Sequence, residues 1–312
     1  MPVLETPELA ISYETAGRGR HAMVLVHGNF ATWRWWKPIL DRPARGFRLY
    51  APTLRGFGAS LAASRARSID VLANDLYAFV HGLGLERVHL VGHSLGGAVA
   101  LEYALTWPET VASVALVAPA SGDGLEAMRS RNDAVGMLLR WTDPKWLASR
   151  IVLLQALRWE RFAGTRRDSL ARALAEMMPS AEPASVQFDA LLADALAIDE
   201  LVVVDTYEAL RRWDIRPRLP DLALPVRVLA GGRDAIVPLS SLEALARALP
   251  RGQLEVWHDV GHSPQLEKPA EFATWLACVR PRPLDHLRRR LRGFFVAVRR
   301  WLRRGAGASS SG

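Results

Sequence analysis

The stretch Val88-His89-Leu90-Val91-Gly92-His93-Ser94-Leu95-Gly96-Gly97 decides the fold. It sets an apolar strand directly before a helix and places a serine on the sharp turn between them, with glycines where side chains would collide. That geometry lifts the Ser94 hydroxyl clear of the backbone. The helix starting near Leu95 aims unpaired N–H groups and its positive dipole end at the same spot, so negative charge developing beside Ser94 is stabilised. Two more strand ends carry polar residues that match. Val226-Arg227-Val228-Leu229-Ala230 runs into Gly231-Gly232-Arg233-Asp234, and Leu254-Glu255-Val256-Trp257 runs into His258-Asp259-Val260-Gly261-His262-Ser263-Pro264. In a mostly parallel sheet such ends lie along one edge, so Ser94, Asp234 and His262 can converge despite their separation in the chain.

The chemistry explains why these three residue types belong together. A serine hydroxyl is a poor nucleophile at neutral pH, so an imidazole must take its proton. A carboxylate must in turn hold that imidazole in the right tautomer and steady the imidazolium. Upstream, Ala22-Met23-Val24-Leu25-Val26 ends in His27-Gly28-Asn29-Phe30. These four segments, in this order, resemble the alpha/beta-hydrolase superfamily, and Arg55-Gly56-Phe57-Gly58-Ala59-Ser60 also looks like its early loop. The similarity spans about residues 9 to 278 and points to a capped, serine esterase-like member. The resemblance implies an oxyanion hole made by the backbone N–H of Leu95 and that of Asn29, with Phe30 the second choice to Asn29. Many relatives read Pro-Asp-Leu-Arg-Gly where this chain has Pro52-Thr53-Leu54-Arg55-Gly56, so a carboxylate partner for the arginine is expected to be missing, at a local cost in stability. Epoxide hydrolases and haloalkane dehalogenases of the superfamily carry aspartate at the nucleophile position; serine there favours ester-type acyl transfer.

Strand character recurs at 9–15, 22–26, 47–51, 87–91, 111–117, 226–230 and 254–257, with amphipathic helical stretches at 68–83, 95–106 and 240–249 between them. This alternation predicts an α/β fold: a mostly parallel central sheet covered by helices on both faces, with the short N-terminal strands as an antiparallel edge. The pattern breaks between 121 and 220, where helical apolar spacing returns without a clear strand. The expected division is therefore a first core part at 1–120, a helical cap at 121–220, a second core part at 221–280, and a basic amphipathic helix with a flexible end at 281–312. The resemblance implies that the cap covers the serine. Trp33, Trp141, Trp146, Trp159 and Trp213 are the candidate pocket residues, favouring an apolar or aromatic substrate group, although packing is the more ordinary use of such rings. Trp35 and Trp36 are expected near the same pocket.

With 312 residues, half of them apolar, the chain can bury a large core. The net charge of +8 is lopsided: from Arg280 onward ten arginines face one acid, Asp285, giving +9, whereas the preceding 279 residues carry −1. A basic nucleic-acid-binding face on the catalytic body therefore has no foundation in total charge. The single cysteine, Cys278, excludes an intramolecular disulfide and falls in a helical pattern where burial is expected. The N-terminus lacks the basic start and apolar run of a secretory signal, and no apolar run reaches membrane-spanning length. A cytoplasmic location is expected, with peripheral contact at the inner face of the membrane as an option. No metal-binding or phosphate-binding pattern occurs, so no cofactor or metal is expected.

Of eight histidines, His262 is the candidate base; His258 is its nearest rival, and His27 and His93 are expected to hold loop shape by hydrogen bonding. Asp234 is the candidate acid, with Asp123 the alternative, since some relatives supply the carboxylate from that region. The expected activity is cleavage of carboxylic esters, with the small-molecule ester as the partner. Lactone, thioester, amide, C–C or perhydrolytic chemistry on the same triad stays open, as does a weakly catalytic ligand-binding or membrane-recruited accessory protein.

Leu284, Leu287, Leu291, Phe294, Phe295, Val298, Trp301 and Leu302 form one stripe on a helix about 31 Å long, with Arg289, Arg290, Arg300 and Arg304 facing away. The stripe suits either an in-plane anchor on anionic lipid or a helix docked on its own domain or a partner subunit. Liposome flotation separates the two. An anchor predicts that the intact chain floats with anionic vesicles and a chain ending at Cys278 does not; equal flotation contradicts the anchor.

Overall fold

The computed structural model describes residues 1–62, 64–123, 166–181 and 187–279. The candidate pocket residues Trp141, Trp146 and Trp159 and the C-terminal stripe lie outside the described residues. Strands β1 (Val3–Glu5), β2 (Leu9–Ala16), β3 (His21–Val26), β4 (Phe47–Pro52), β5 (Leu61–Ala62), β6 (Val88–His93), β7 (Val111–Val117), β8 (Val226–Gly231) and β9 (Gly252–Trp257) form one sheet in the order β1-β2-β4-β3-β6-β7-β8-β9, with β5 paired to β2. β1 and β2 run antiparallel to their neighbours, and every pairing from β4 through β9 is parallel. The expected strands and the antiparallel edge are therefore present, and the short β1 and β5 add to them.

Continuous apolar runs in the central strands follow from burial on both faces. Val24 and Val26 of β3 join one cluster with Leu90, Val114, Leu116 and Val228. Met23 and Leu25 join the opposite one with Val91, Ala115, Val117 and Leu229. The first face is covered by α2 (Ile69–Gly82) and α3 (Leu95–Thr106), the second by α1 (Lys37–Leu40) through Ile39 and Leu40. Ser68 caps α2, its hydroxyl accepting from the Val71 N–H, where a side-chain oxygen satisfies an otherwise unpaired donor. β3 has β4 on one side and β6 on the other. The loops leaving the C-terminal ends of β3 and β6 thus diverge and leave a crevice between them, the place where open α/β sheets bind ligands.

Between β7 and β8 the chain carries α4 (Arg166–Met177), α5 (Phe188–Ala197) and α6 (Glu200–Arg212). The insertion is fastened to the core from several directions. Leu174, Met178, Leu191 and Leu192 pack with Trp35, Ala31 and Leu266, while Asp194 Oδ2 accepts from Thr32 Oγ1 at 2.6 Å and Arg34 Nε at 2.9 Å. Beyond it, α7 (Leu239–Ala248) covers the first face, a short α8 (Pro264–Glu267) follows the β9 loop, and α9 (Pro269–Ala277) covers the second face with Phe272, Trp275 and Leu276.

Two expectations fail here for definable reasons. Arg55 does have a carboxylate: α2 brings Asp75 to it from 20 residues away, with Nε to Oδ2 at 2.7 Å and Nη2 to Oδ1 at 2.5 Å. This fork-like pair is stronger than a single-point contact. The Thr53 side chain does other work, its Oγ1 accepting from the Trp33 N–H at 3.4 Å. Cys278 is exposed, because it follows the last turn of α9 on the side away from the buried Phe272, Trp275, Leu276 and Val279.

Candidate active site

Ser94 sits at φ 52° and ψ −117°, a backbone conformation that costs a non-glycine residue about 1–3 kcal/mol. The neighbouring strands hold it there. Its N–H donates to the Val117 carbonyl at 3.1 Å, and its own carbonyl accepts from Gly97 at 2.9 Å and Ala120 at 3.0 Å. The surrounding glycines are a packing necessity: a Cβ on Gly92 would lie 2.3 Å from the Gly96 carbonyl oxygen, and one on Gly96 2.2 Å from that of Val26. The β3 loop presses on the elbow as well, since a Cβ on Gly28 would stand 3.0 Å from that of Ser94. Leu95, the first residue of α3, presents a helix-terminal N–H beside the serine.

Asp234 and His262 meet in a buried pair. Asp234 Oδ2 lies 2.8 Å from His262 Nδ1, and each side chain is only 1% exposed. The other carboxylate oxygen, Oδ1, accepts from the backbone of Ile236 at 2.7 Å and Val237 at 3.0 Å, fixing the carboxylate plane. A carboxylate can only accept, so Nδ1 carries a proton, and in the neutral ring Nε2 is the nitrogen with the lone pair. The rival acid goes elsewhere: Asp123 Oδ1 accepts from Ser121 Oγ at 2.5 Å. His258, the rival base, is exposed at the end of β9.

His93 joins the two halves of the site. It immediately precedes Ser94, its ring centroid is 4.9 Å from that of His262, and its Nε2–H donates to the His262 carbonyl at 2.8 Å. Burial, with the nearby His262 as a smaller cause, holds its pKa well below the usual histidine value. The Ser94 hydroxyl makes no hydrogen bond to a described residue. Catalytic hydrogen bonds commonly tighten only once substrate is in place.

The β3 loop is locked by His27 and Asn29. Nδ1–H of His27 donates to the Gly28 carbonyl at 2.7 Å, and Nε2 accepts from the Leu54 N–H at 2.9 Å, a pattern that demands the neutral ring. Complete burial is the main reason its pKa falls to about 4. Asn29 Oδ1 accepts from the Phe30 N–H at 3.1 Å and from Thr206 Oγ1 of α6 at 3.3 Å. Phe30, at φ 56°, therefore has its N–H engaged, which favours the Asn29 N–H as the one open to an oxyanion. Among the candidate pocket residues, Trp213 is in the core: its ring joins the α2–α3 cluster and its Nε1–H donates to Glu102 Oε2 at 3.1 Å. Trp33 is half-buried against the second-face cluster, and Trp35 is fully buried, stacked on His93 at 5.5 Å.

Sequence reasoning missed Glu267 and Met177, which bind the peptide groups around His262, and Ser180, which donates to Glu267. The one local signal was Pro264 at the first position of α8, which marks a helix start but not the reach of Glu267 back to Ser263.

This arrangement of sheet, elbow and late acid–histidine pair is that of the alpha/beta hydrolase fold, and the family so described matches residues 21–269; the chain belongs to it. It is 30% identical over 268 residues to the dihydrolipoyllysine-residue acetyltransferase component of an acetoin cleaving system from Pseudomonas putida, covering 82% of this chain and 62% of that protein's length. It is 27% identical over 261 residues to a 2-hydroxymuconate semialdehyde hydrolase from Pseudomonas sp. (strain CF600), covering 81% of this chain and 84% of the hydrolase. Among solved structures, an esterase from Exiguobacterium antarcticum superposes with a TM-score of 0.73 at 19% identity, over 88% of this chain and 97% of that one. A thermophilic esterase from Thermogutta terrifontis gives 0.66 at 25% identity, over 89% and 97%.

The neutral His27 makes stability pH-dependent. The unfolded chain takes up a proton near the ordinary value of 6.5 that the folded ring refuses down to about 4. The stabilisation is thus complete above about pH 6.5 and is lost as pH falls through about 4, to the extent of about 3 kcal/mol. NMR titration of the His27 ring should give a midpoint near 4. A midpoint at the unperturbed value would contradict the locked, neutral ring.

Proposed function

We propose that this protein is a serine hydrolase that cleaves carboxylic esters through an acyl-enzyme. The observation that carries the reading is the buried 2.8 Å pairing of Asp234 with His262 Nδ1, which makes Nε2 the basic nitrogen of the neutral ring, in a fold that also strains Ser94 onto a helix N-terminus. In the first half-reaction His262 Nε2 takes the proton from Ser94 Oγ as that oxygen bonds to the ester carbonyl carbon. The tetrahedral oxyanion receives hydrogen bonds from the N–H groups of Leu95 and Asn29, each worth about 2.7–4 kcal/mol in such transition states. Collapse breaks the bond to the alkoxy oxygen, which leaves with the proton from His262. Water then repeats the sequence on the acyl-serine, and Ser94 regains its proton. Asp234 orients the ring and stabilises the imidazolium.

The names of the similar proteins support hydrolytic chemistry: an esterase shares the fold at 25% identity, and a semialdehyde hydrolase matches along most of its length. Lactones, thioesters, amides and C–C bonds next to a ketone pass through the same kind of tetrahedral intermediate, so the residues named serve those substrates equally. An apolar or aromatic substrate group fits the tryptophan content of the insertion. The apolar stripe and flanking arginines between residues 284 and 304 fit peripheral contact with an anionic membrane or a partner subunit.

Hydrolysis of p-nitrophenyl esters of graded acyl length tests the reading. The chain should turn over at least one of them, and Ser94→Ala should lose at least about 10⁴-fold in kcat. Activity of Ser94→Ala equal to the unaltered protein would refute it.

A further inference from the structure

The backbone around His262 is held from outside its own loop to an unusual degree. The carboxylate of Glu267 accepts from the Gly261 N–H at 2.9 Å on both oxygens and from the Ser263 N–H at 3.2 Å on Oε1, so it clamps the amides on either side of the histidine. The remaining amide, that of His262, donates to the Met177 carbonyl at 2.8 Å, and the His262 carbonyl accepts from His93. Every peptide group that sets the direction of the imidazole is thus bonded to a side chain or to another segment.

The insertion takes part in this clamp. Ser180, three residues beyond the end of α4, donates to Glu267 Oε2 through its N–H at 3.1 Å and its hydroxyl at 2.6 Å. Pro179 lies so close over the loop that a Cβ on Gly261 would stand 2.4 Å from its ring. Glu267 is about nine-tenths buried, and its carboxylate is matched by three N–H groups and one O–H rather than by a lysine or arginine among the described residues. Removing a buried acceptor of this kind leaves several donors unpaired at once.

We propose that Glu267 is a positioning residue for the His262 imidazole, and that the insertion acts on the same loop through Ser180, bonded to Glu267, and through Met177, bonded to the His262 N–H, so that the seating of the insertion on the core sets the placement of the general base. The inference rests on the catalytic role proposed for Ser94 and His262. It gives the insertion a part in the chemical step that is separate from shaping a substrate pocket. A shift of about 1 Å in a reacting group can cost about 100-fold in rate, so kcat, not substrate affinity, carries the signature.

The test uses the full chain with p-nitrophenyl esters of short and long acyl groups. Glu267→Ala should lower kcat about 10- to 100-fold for every ester alike with KM little changed, and should broaden or shift the low-field NMR resonance of the His262 Nδ1 proton held by Asp234. Glu267→Gln, which keeps one acceptor oxygen, should fall between. Ser180→Ala should lower kcat by a few-fold in the unaltered chain and not at all in the Glu267→Ala background. Glu271→Gln, on the exposed side of α9, should behave as the unaltered protein. If Glu267→Ala fails to fold, Glu267→Gln and Ser180→Ala carry the same comparison, Ser180→Ala then being read against the Glu267→Gln background. Unchanged kcat and resonance in the Glu267 variants, effects confined to KM or to one acyl length, or additive losses from Ser180 and Glu267 would overturn the inference. With Ser94→Ala inert, such a result removes this inference alone; with Ser94→Ala active, the esterase reading itself falls.

Discussion

The strained backbone at Ser94 is the constraint around which the rest of the molecule is arranged. A positive φ on a residue with a side chain persists only where its surroundings over-determine it. Here the surroundings are the ends of β3 and β6 and the first turn of α3, brought so close that Gly28, Gly92 and Gly96 have no room for a Cβ, with Val117 of β7 accepting from the Ser94 N–H. The parallel sheet supplies this closeness, and burial of both faces by apolar clusters holds the sheet rigid. In return, the elbow places a hydroxyl above the sheet edge and a helix N-terminus beside it, at the crevice where the loops of β3 and β6 diverge.

Three buried histidines divide the work that follows. His27 and His93 are held neutral by burial and serve structure: both ring nitrogens of His27 fix the β3 loop through Gly28 and Leu54, and Nε2 of His93 ties the elbow to the His262 carbonyl. His262 differs in having a carboxylate on Nδ1, which leaves the opposite nitrogen free for proton transfer. The chemical distinction among the three comes from what each ring nitrogen faces, since all are buried alike.

Local pattern carried the sheet, the elbow and the acid–histidine pair, because each rests on a strand ending in a characteristic turn. What it could not carry depends on long-range approach. Asp75 lies on α2 with nothing in its own neighbourhood to mark it as the partner of Arg55, and Glu267 reads as an ordinary acid in a short helix until the fold brings Gly261 and Ser180 to it. Cys278 shows the limit of helical periodicity at a helix end, where one residue past the last turn leaves the buried face. Trp213 shows a different limit: its insertion-side position suggested a pocket wall, yet its indole N–H finds Glu102 across the core. The Phe30 N–H donates to the side chain of its neighbour Asn29, a contact that nothing in the local sequence marks.

A crystal structure of the chain after reaction with a phosphonate ester tests the central claim most directly, because the adduct mimics the tetrahedral intermediate. Phosphorus should be bonded to Ser94 Oγ, with one phosphonyl oxygen about 2.7–3.1 Å from the N–H groups of Leu95 and Asn29, and His262 Nε2 within about 3.2 Å of Ser94 Oγ or of the oxygen standing where the leaving group would be. An adduct on another residue, or one on Ser94 with the His262 ring turned away and no donor at the phosphonyl oxygen, would contradict it.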